Sequence, residues 1–561
     1  MRSEKFSTEE EIIKELDVFG AGPVLYTNSD GSNYSYTSEG HTLYLGVSGS
    51  GKSRAGTIPL ASSIVSSGES AIIIDPKGEI YKNVYVPDSY EKYIIDFRNI
   101  GKENTDGFNI LTAPYELYCS GDSDDRLAAE QMIGDIAYCI YPDFASDGKY
   151  ADPFWITEAR NVFLGAVYTL FKFGKPEEIN ITSVYSIIMK GDERFAASTY
   201  LKELTQRCNE KDSIIAEQLY SYVTTANDTK AGIRSVMLNG LSVFSQSEAI
   251  RHFCSHDDLC INHLTGDKPT IIFIILPDET PIYDKLASII TNQLTTHFIR
   301  SAERDYAGKL PIRMNIVLEE LASIGSSLKN LTHLMAASRS RNLRMFLVLQ
   351  SLSQLNDLYG KSGAETILAN CDVKIAFRTN NMQTLKELSA LCGIKSHRTE
   401  LGNTVAEPLI TESQLAALEN RQALVMIKGR IKYITWLRDF TEMNIMSPKN
   451  MEHPMKTKHE TFYANKVFDI QTYIKESARR KMLEELNKKS PTPSPLLMDI
   501  DRSMTLDELQ RDIELKIALL GREEKSKRNK AKADQNKEKS TKKSIKQSNN
   551  NKETNTTESD K

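Results

Sequence analysis

Residues 46–53, Gly46-Val47-Ser48-Gly49-Ser50-Gly51-Lys52-Ser53, constrain this chain more than any other segment. An apolar run, Thr42–Leu45, precedes them, and an apolar helical stretch, Ile58–Ser66, follows. Strand, glycine-rich loop and helix in that order build a phosphate cradle. The glycines let backbone N–H groups converge on a β-phosphate, and the helix N-terminus adds partial positive charge. In such a loop the lysine, Lys52, reaches the β- and γ-phosphates, and the hydroxyl of Ser53 ligates Mg2+. The expected nucleotide site is therefore Gly46, Val47, Ser48, Gly49, Ser50, Gly51, Lys52 and Ser53, with ATP and Mg2+ as cofactors.

The rest of the chain supplies a sheet to carry that loop. Short apolar runs rich in β-branched residues recur at Thr42–Leu45, Ala71–Ile74, Tyr93–Ile95, Ile271–Leu276, Asn315–Leu318, Met345–Leu349, Val373–Phe377 and Ala423–Ile427. Longer helical patterns separate them. Continuous apolar strands alternating with helices predict a mainly parallel sheet covered on both faces. Between about 118 and 265 the strand pattern stops. Helical patterns replace it at Asp125–Ile140, Trp155–Phe171, Ile181–Met189, Phe195–Leu204, Ile214–Thr225 and Ile233–Phe244.

The expected fold class is α/β: a P-loop core with a mainly parallel sheet, an all-α insertion and a disordered basic tail. Residues 41–117 and 266–447 form the two parts of the core, and 118–265 the insertion. Residues 1–40 read as a helix and a hairpin. Ser7 or Thr8 with Glu10 and Glu11 gives a capping box, and Ser29-Asp30-Gly31-Ser32 gives the turn. Residues 448–520 read as a linker, stiff at Ser490–Pro495, then a short amphipathic helix at about 505–520. Residues 521–561, with almost no apolar content, cannot offset the entropy of ordering.

Composition narrows the function classes. Hydrophobic residues make up 40% and charged residues 26%, enough apolar material for a large core. The longest apolar runs are five or six residues, such as Ile271–Leu276, against the roughly 20 needed to span a bilayer. The opening MRSEKFSTEEE has no apolar stretch of the export type. A cytoplasmic location is expected, with recruitment to the membrane left to a partner. Net charge is −5, which argues against a globally basic nucleic-acid binder. The tail from 521 holds 13 Lys/Arg against 7 Asp/Glu, and the remainder 57 against 68, so a basic tail follows an acidic body. The seven cysteines suit reduced thiols. His252, Cys254, His256, Cys260 and His263 match no zinc spacing and read as a surface helix-to-loop segment.

A phosphate cradle needs acids to hold magnesium and to activate water. Ile316-Val317-Leu318-Glu319-Glu320 is an apolar strand ending in two carboxylates. Glu319 is expected in the magnesium shell and Glu320 as general base. Glu319 stands where Asp is more usual, one methylene longer. Asp75-Pro76-Lys77-Gly78-Glu79 follows the second strand and places an acid at the ligand-binding edge of an open α/β sheet. Ser338-Arg339-Ser340-Arg341-Asn342-Leu343-Arg344 leads into a strand that ends in Gln350. Gln350 is expected to sense the γ-phosphate and orient water. Arg341 is the candidate for a finger that reaches a neighbouring subunit's nucleotide.

These motifs in this order resemble the TraG/TraD-like coupling ATPases of conjugative type IV secretion systems. The resemblance runs from His41 to Phe440. It rests on HTLYLGVSGSGKS, IIIDPKGEI, DGFNIL, DPFWITEARNVFLGAVY, VLEELASIG, SRSRNLRMFLVLQSLSQL and PLITESQLAALENRQALVMIKG. It implies a RecA-like motor core, an all-α domain and a homo-hexamer around a channel. It also implies delivery of relaxase-bound DNA to the channel components of a type IV secretion system at the expense of ATP. Lys52, Ser53, Glu319, Glu320 and Gln350 match the family's site positions. The chain departs from the family pattern in Glu319 and in the lack of visible N-terminal transmembrane helices, which implies either a separate membrane-anchor partner or a soluble motor.

Two other readings compete. In one, nucleotide only switches a docking adaptor that recruits protein substrates, and no DNA is pumped. In the other the chain is a small-molecule kinase. About 265 residues between Ser53 and Glu319, and no acceptor lid, argue against the kinase.

Overall fold

The computed structural model describes residues 4–142, 153–208, 213–277, 279, 281–325, 328, 330–398, 404–443 and 455–489. The expected helix at 505–520, the linker from 490 and the tail lie outside the described residues. The chain divides into two compact units, residues 1–470 and 471–561. In the second, the described element is the helix Ile470–Lys489.

A nine-stranded sheet organises the first unit. Its strands are β1 (His41–Leu45), β2 (Ser70–Asp75), β3 (Glu91–Asp96), β4 (Thr270–Ile275), β5 (Met314–Leu318), β6 (Leu343–Leu349), β7 (Cys371–Phe377), β8 (Gln422–Ile427) and β9 (Ile431–Trp436). Across the sheet they run β9, β8, β7, β1, β6, β5, β2, β4, β3. Seven neighbours are parallel, from β7 to β3. Then β8 turns back against β7, and β9 against β8. Every residue of β1, β2, β4, β5 and β6 is buried, as expected of strands covered on both faces.

All eight expected strands are present, and β9 is the addition. One core cluster packs Ile58, Leu60, Ala61 and Ile64, from the helix after the phosphate loop, with Ile73, Ile94, Phe273, Val317 and Phe346 of the sheet. The long helix Asp284–Asp305 buries Leu286, Ile290, Leu294 and Phe298. It also bonds to the inserted helices: Asn292 Nδ2 donates to Asp135 Oδ2 at 3.2 Å.

Helices fill the insertion, the longest being Ser123–Ile140 and Pro153–Phe173. Where a helix from Phe195 was expected, a small hairpin of Arg194–Phe195 and Ser198–Thr199 comes first, turning at Ala196 with φ +50°. The helix then starts at Tyr200.

The histidine–cysteine segment is not a surface loop. Phe253, Cys254, Asp257 and Asp258 are buried, and His256–Asp257 pairs with Phe462–Tyr463. Among the described residues no group of three His, Cys, Asp or Glu is placed to hold a metal. The stretch 455–470 is likewise docked rather than a free linker. Thr457 N–H donates to the carbonyl of Lys92 at 2.8 Å, covering the exposed edge of β3, and Phe468 is buried.

Candidate nucleotide site

The phosphate loop leaves β1 at the carboxyl edge of the parallel strands. Its two sides hang from the neighbours of β1. Gly46 N–H donates to the Leu349 carbonyl at 3.2 Å, and Val47 N–H to the Arg378 carbonyl at 3.1 Å. Gly49 and Gly51 adopt φ +75° and +97°, a region closed to most side chains. The helix then starts in a wide turn, Ser53–Thr57, that runs into Ile58–Ser66. Lys52 lies back along the loop, donating from Nζ to the carbonyls of Gly46 and, at 3.0 Å, Val47. Burial lowers its pKa, partly offset by the charges of Glu320 and Glu319.

Beside the loop opens a cleft of about 710 Å³. Ser48, Gly49, Gly51, Lys52, Ser53, Glu319, Glu320 and Gln350 all line it, so most of the expected residues converge. Ser50 sits beneath, its hydroxyl buried without a hydrogen-bond partner. Because β6 lies between β1 and β5, Gln350 at its tip stands between the cradle and the two acids. Its Nε2 donates to Glu320 Oε2 at 3.4 Å. Burial raises the pKa of Glu320, opposed by the Gln350 bond and the Lys52 charge.

Glu319 is more deeply held. Burial, and then the charge of Asp75, pushes its carboxyl up to about 8, while the hydroxyls of Ser53 and Thr57 favour the charged form. Thr57 Oγ1 donates to Oε1 at 3.1 Å; Oε2 is buried without a hydrogen-bond partner. Asp75 is fully buried rather than exposed at the edge. Its oxygens accept the N–H groups of Glu79 (3.1 Å) and Tyr81 (2.9 Å), capping the helix Glu79–Asn83, and burial raises its pKa. A serine hydroxyl beside a carboxylate with an unpartnered oxygen is a hard-oxygen donor set. It fits a small divalent cation next to a phosphate cradle.

Arg341 is not brought into the cleft of its own chain. It precedes β6, whose far end carries Gln350, so seven strand residues, roughly 20 Å, separate the two. There it pairs with Glu303.

Four groups line the cleft that the sequence reading did not single out: Asn420 and Arg421, Arg54, Lys77, and the segment carrying Asp439, Thr441 and Glu442. Two of these positions follow from strand direction. Since β8 is antiparallel, its start lies at the phosphate-loop edge, and so does the end of β9: Gln422 is the register partner of Trp436. Residues just before β8 and just after β9 therefore reach the cleft. Lys77 lay within Asp75-Pro76-Lys77-Gly78-Glu79, and Asn420 and Arg421 within the stretch PLITESQLAALENRQALVMIKG, but none of the three was assigned a role there.

A family model described as type IV secretory system conjugative DNA transfer matches residues 1–459. The chain belongs to this conjugative DNA transfer family. Within it, the chain is 20% identical over 409 residues to protein VirD4 of Agrobacterium fabrum, covering 69% of this chain and 57% of that protein. It is 20% identical over 365 residues to a conjugal transfer protein TraG of Escherichia coli, covering 63% and 55%. The chain thus spans little more than half the length of these curated relatives.

Among solved structures it is similar to the bacterial conjugative coupling protein TrwBΔN70. The TM-score is 0.58 and the identity 17%, with 78% of this chain and 93% of that one covered. TrwB in complex with ADP and Mg2+ gives 0.58 and 15%, covering 82% and 96%. At such identities the likeness is one of fold, and it agrees with the α/β core and mainly parallel sheet expected from the motifs. Among the described residues no helix is long and apolar enough to cross a membrane.

Proposed function

We propose that this chain is an ATP-hydrolysing coupling protein that delivers relaxase-bound DNA to a type IV secretion channel and helps drive it through. The observation that carries the reading is the convergence of Lys52, Ser53, Glu319, Glu320 and Gln350 on one cleft, in a chain of the conjugative DNA transfer family. TrwB, of the same fold, has been captured with ADP and Mg2+ and with a non-hydrolysable ATP analogue, which supports ATP and Mg2+ here.

The chain's own residues divide the work. The loop N–H groups and Lys52 hold the phosphates, and Lys52 must leave the carbonyls of Gly46 and Val47 to do so. Ser53 and Glu319 would hold Mg2+, which when bound neutralises charge on the β- and γ-phosphates. Glu320 takes a proton from the attacking water, and its raised pKa moves it toward the useful range for a general base. Gln350, bonded to Glu320, orients that water. A homo-hexamer, a membrane-anchor partner and a cytoplasmic-face position complete the proposal. Arg341, paired with Glu303 at the other end of β6, would serve as a finger at a neighbouring copy's nucleotide.

The test is ATP turnover by purified chain with Mg2+, with and without single- and double-stranded DNA. The proposal expects DNA to stimulate turnover, and Lys52→Ala to abolish it while the fold remains. Turnover in Lys52→Ala equal to wild type would refute the site. Turnover indifferent to DNA, with nucleotide-dependent capture of a relaxase, would favour the docking adaptor.

A further inference from the structure

The cleft contains a cation that sits on none of the parallel strands. Arg421 lies in the turn before β8 and adopts φ +67°, a conformation that non-glycine residues seldom hold. Two backbone bonds fix it there. Its N–H donates to the Ser50 carbonyl at 3.1 Å, and its carbonyl accepts from Leu437 N–H at 2.9 Å. The turn packs tightly on the phosphate loop: a Cβ on Gly51 would stand 2.9 Å from Arg421 Cγ and 3.2 Å from Asn420 Oδ1. A strained residue pinned beside a phosphate-binding loop invites a functional reading.

The two arginines of the cleft differ in how firmly they are held. Arg54 bonds Asp439 through Nε at 2.6 Å and Nη2 at 2.9 Å, and its guanidinium lies over the Phe440 ring at 4.9 Å. The neighbouring backbone is latched as well, with Phe440 N–H donating to the Arg54 carbonyl at 2.9 Å. Arg54 is thus a structural clamp for the segment after β9. Arg421 bonds Glu442 through Nη1 at 2.8 Å, and the Glu442 side chain is 50% exposed. A carboxylate at an open rim is a weak competitor. A polyphosphate held by Gly51–Ser53 would bring several negative charges next to a guanidinium whose fork suits phosphate oxygens.

We propose that Arg421 is a further nucleotide-binding residue of this site. It releases Glu442 and donates to a phosphate oxygen of a nucleoside di- or triphosphate, so that Glu442 acts as a placeholder that tunes affinity. The proposal rests on the nucleotide-binding reading above, and its test separates the two.

The experiment is a fluorescence titration of the full chain with N-methylanthraniloyl-ADP and -ATP in the presence of Mg2+, checking each variant by thermal unfolding. Loss of a charge-assisted hydrogen bond to phosphate predicts affinity roughly tenfold to a hundredfold weaker in Arg421→Ala. Arg421→Gly should weaken binding equally, although it relieves the strained backbone, so equal losses isolate the guanidinium. Arg421→Lys should recover part of the affinity. Glu442→Gln should tighten binding in the wild-type background and change nothing in Arg421→Ala, an outcome that a merely structural role for Arg421 does not give. Wild-type chain that binds no nucleotide overturns both readings. If wild type binds and Lys52→Ala does not, while Arg421→Ala binds within twofold of wild type, only this inference falls.

Discussion

Replacing Arg344 by methionine is expected to destabilise the protein far more than removing Arg339 or Arg341 from the same basic segment. Arg344 lies in β6 and is 1% exposed. Its guanidinium donates to Asn315 Oδ1 at 2.8 and 3.0 Å, to the carbonyls of Ala21 (2.9 Å) and Ser38 (3.1 Å), and to Glu69 at 3.3 Å. It thus ties the N-terminal segment, at Ala21 and Ser38, to the sheet. Methionine fills the volume but leaves Glu69 short of a partner and two carbonyls unpaired in the interior. Breaking a buried pair in this way costs about 3–5 kcal/mol.

The other two arginines provide the contrast. Arg339, half exposed, pairs with Asp372 at 3.1 Å, and Arg341 pairs with the exposed Glu303. Rim pairs of this kind contribute about 0–1 kcal/mol. In thermal unfolding, Arg344→Met should melt roughly 3–5 °C early, with the other two within about 1 °C of wild type. Nucleotide affinity at 15 °C should stay unchanged in Arg344→Met, because the residue stands near the base of β6, away from the cleft. A melt like that of wild type, or lost affinity in the folded variant, would show that Arg344 is not the structural tie described.

Three further outcomes follow from the site. Glu320→Gln keeps its bond to Gln350 but cannot take a proton, so turnover should fall about 10²–10⁴-fold with nucleotide affinity retained; a stopped-flow comparison of binding and turnover checks this. The carboxyl of Glu319, pushed up to about 8, binds its proton more tightly folded than unfolded. Its contribution to stability is therefore complete below about pH 4.5 and is lost as pH rises through about 8. Melting followed from pH 5 to 9 without divalent cation should decline, and Glu319→Gln should flatten the decline; parallel curves for the two would refute the assignment. Asp439→Ala should free the Arg54 clamp, weakening nucleotide binding and exposing the segment after β9 to protease, read by limited proteolysis.

The parts of this molecule legible in the sequence are those whose chemistry is local. β1 to β8 read as strands because each carries a short apolar run rich in β-branched residues, which in β7 survives the single interruption at Lys374. β9 has Lys432 and Thr435 within six residues and so leaves no such run; Lys432 is buried all the same, donating to the Cys392 carbonyl at 2.9 Å and to Glu4 at 3.1 Å. The phosphate loop and the acids after β5 are contiguous motifs and fall where their strands end. Asp75 was legible as an acid at the sheet edge, but not as a helix cap that crowds Glu319. Arg341 shows what strand direction would have added. A residue that precedes a parallel strand cannot share an edge with the residue that ends it, so Gln350 and Arg341 were never candidates for one chain's cleft.

Direction also explains why half the cleft carries no phosphate- or metal-binding signature. In the parallel part of the sheet only strand ends face the nucleotide, which is why the cradle, the acids and Gln350 each follow a run of apolar residues. The reversal at β8 breaks that rule. It turns the start of one strand and the end of the next toward the same edge, and residues 420–421 and 439–442 arrive there without any glycine-rich or acidic signature. Their placement depends on the Leu437–Arg421 and Arg421–Ser50 backbone bonds, so the wall they form is attached to the phosphate loop itself. Any shift of the loop that accompanies the phosphates must then be shared with the antiparallel arm, or strain these two bonds. That coupling needs no contact beyond those described, and it gives the arm a physical reason to respond to the nucleotide.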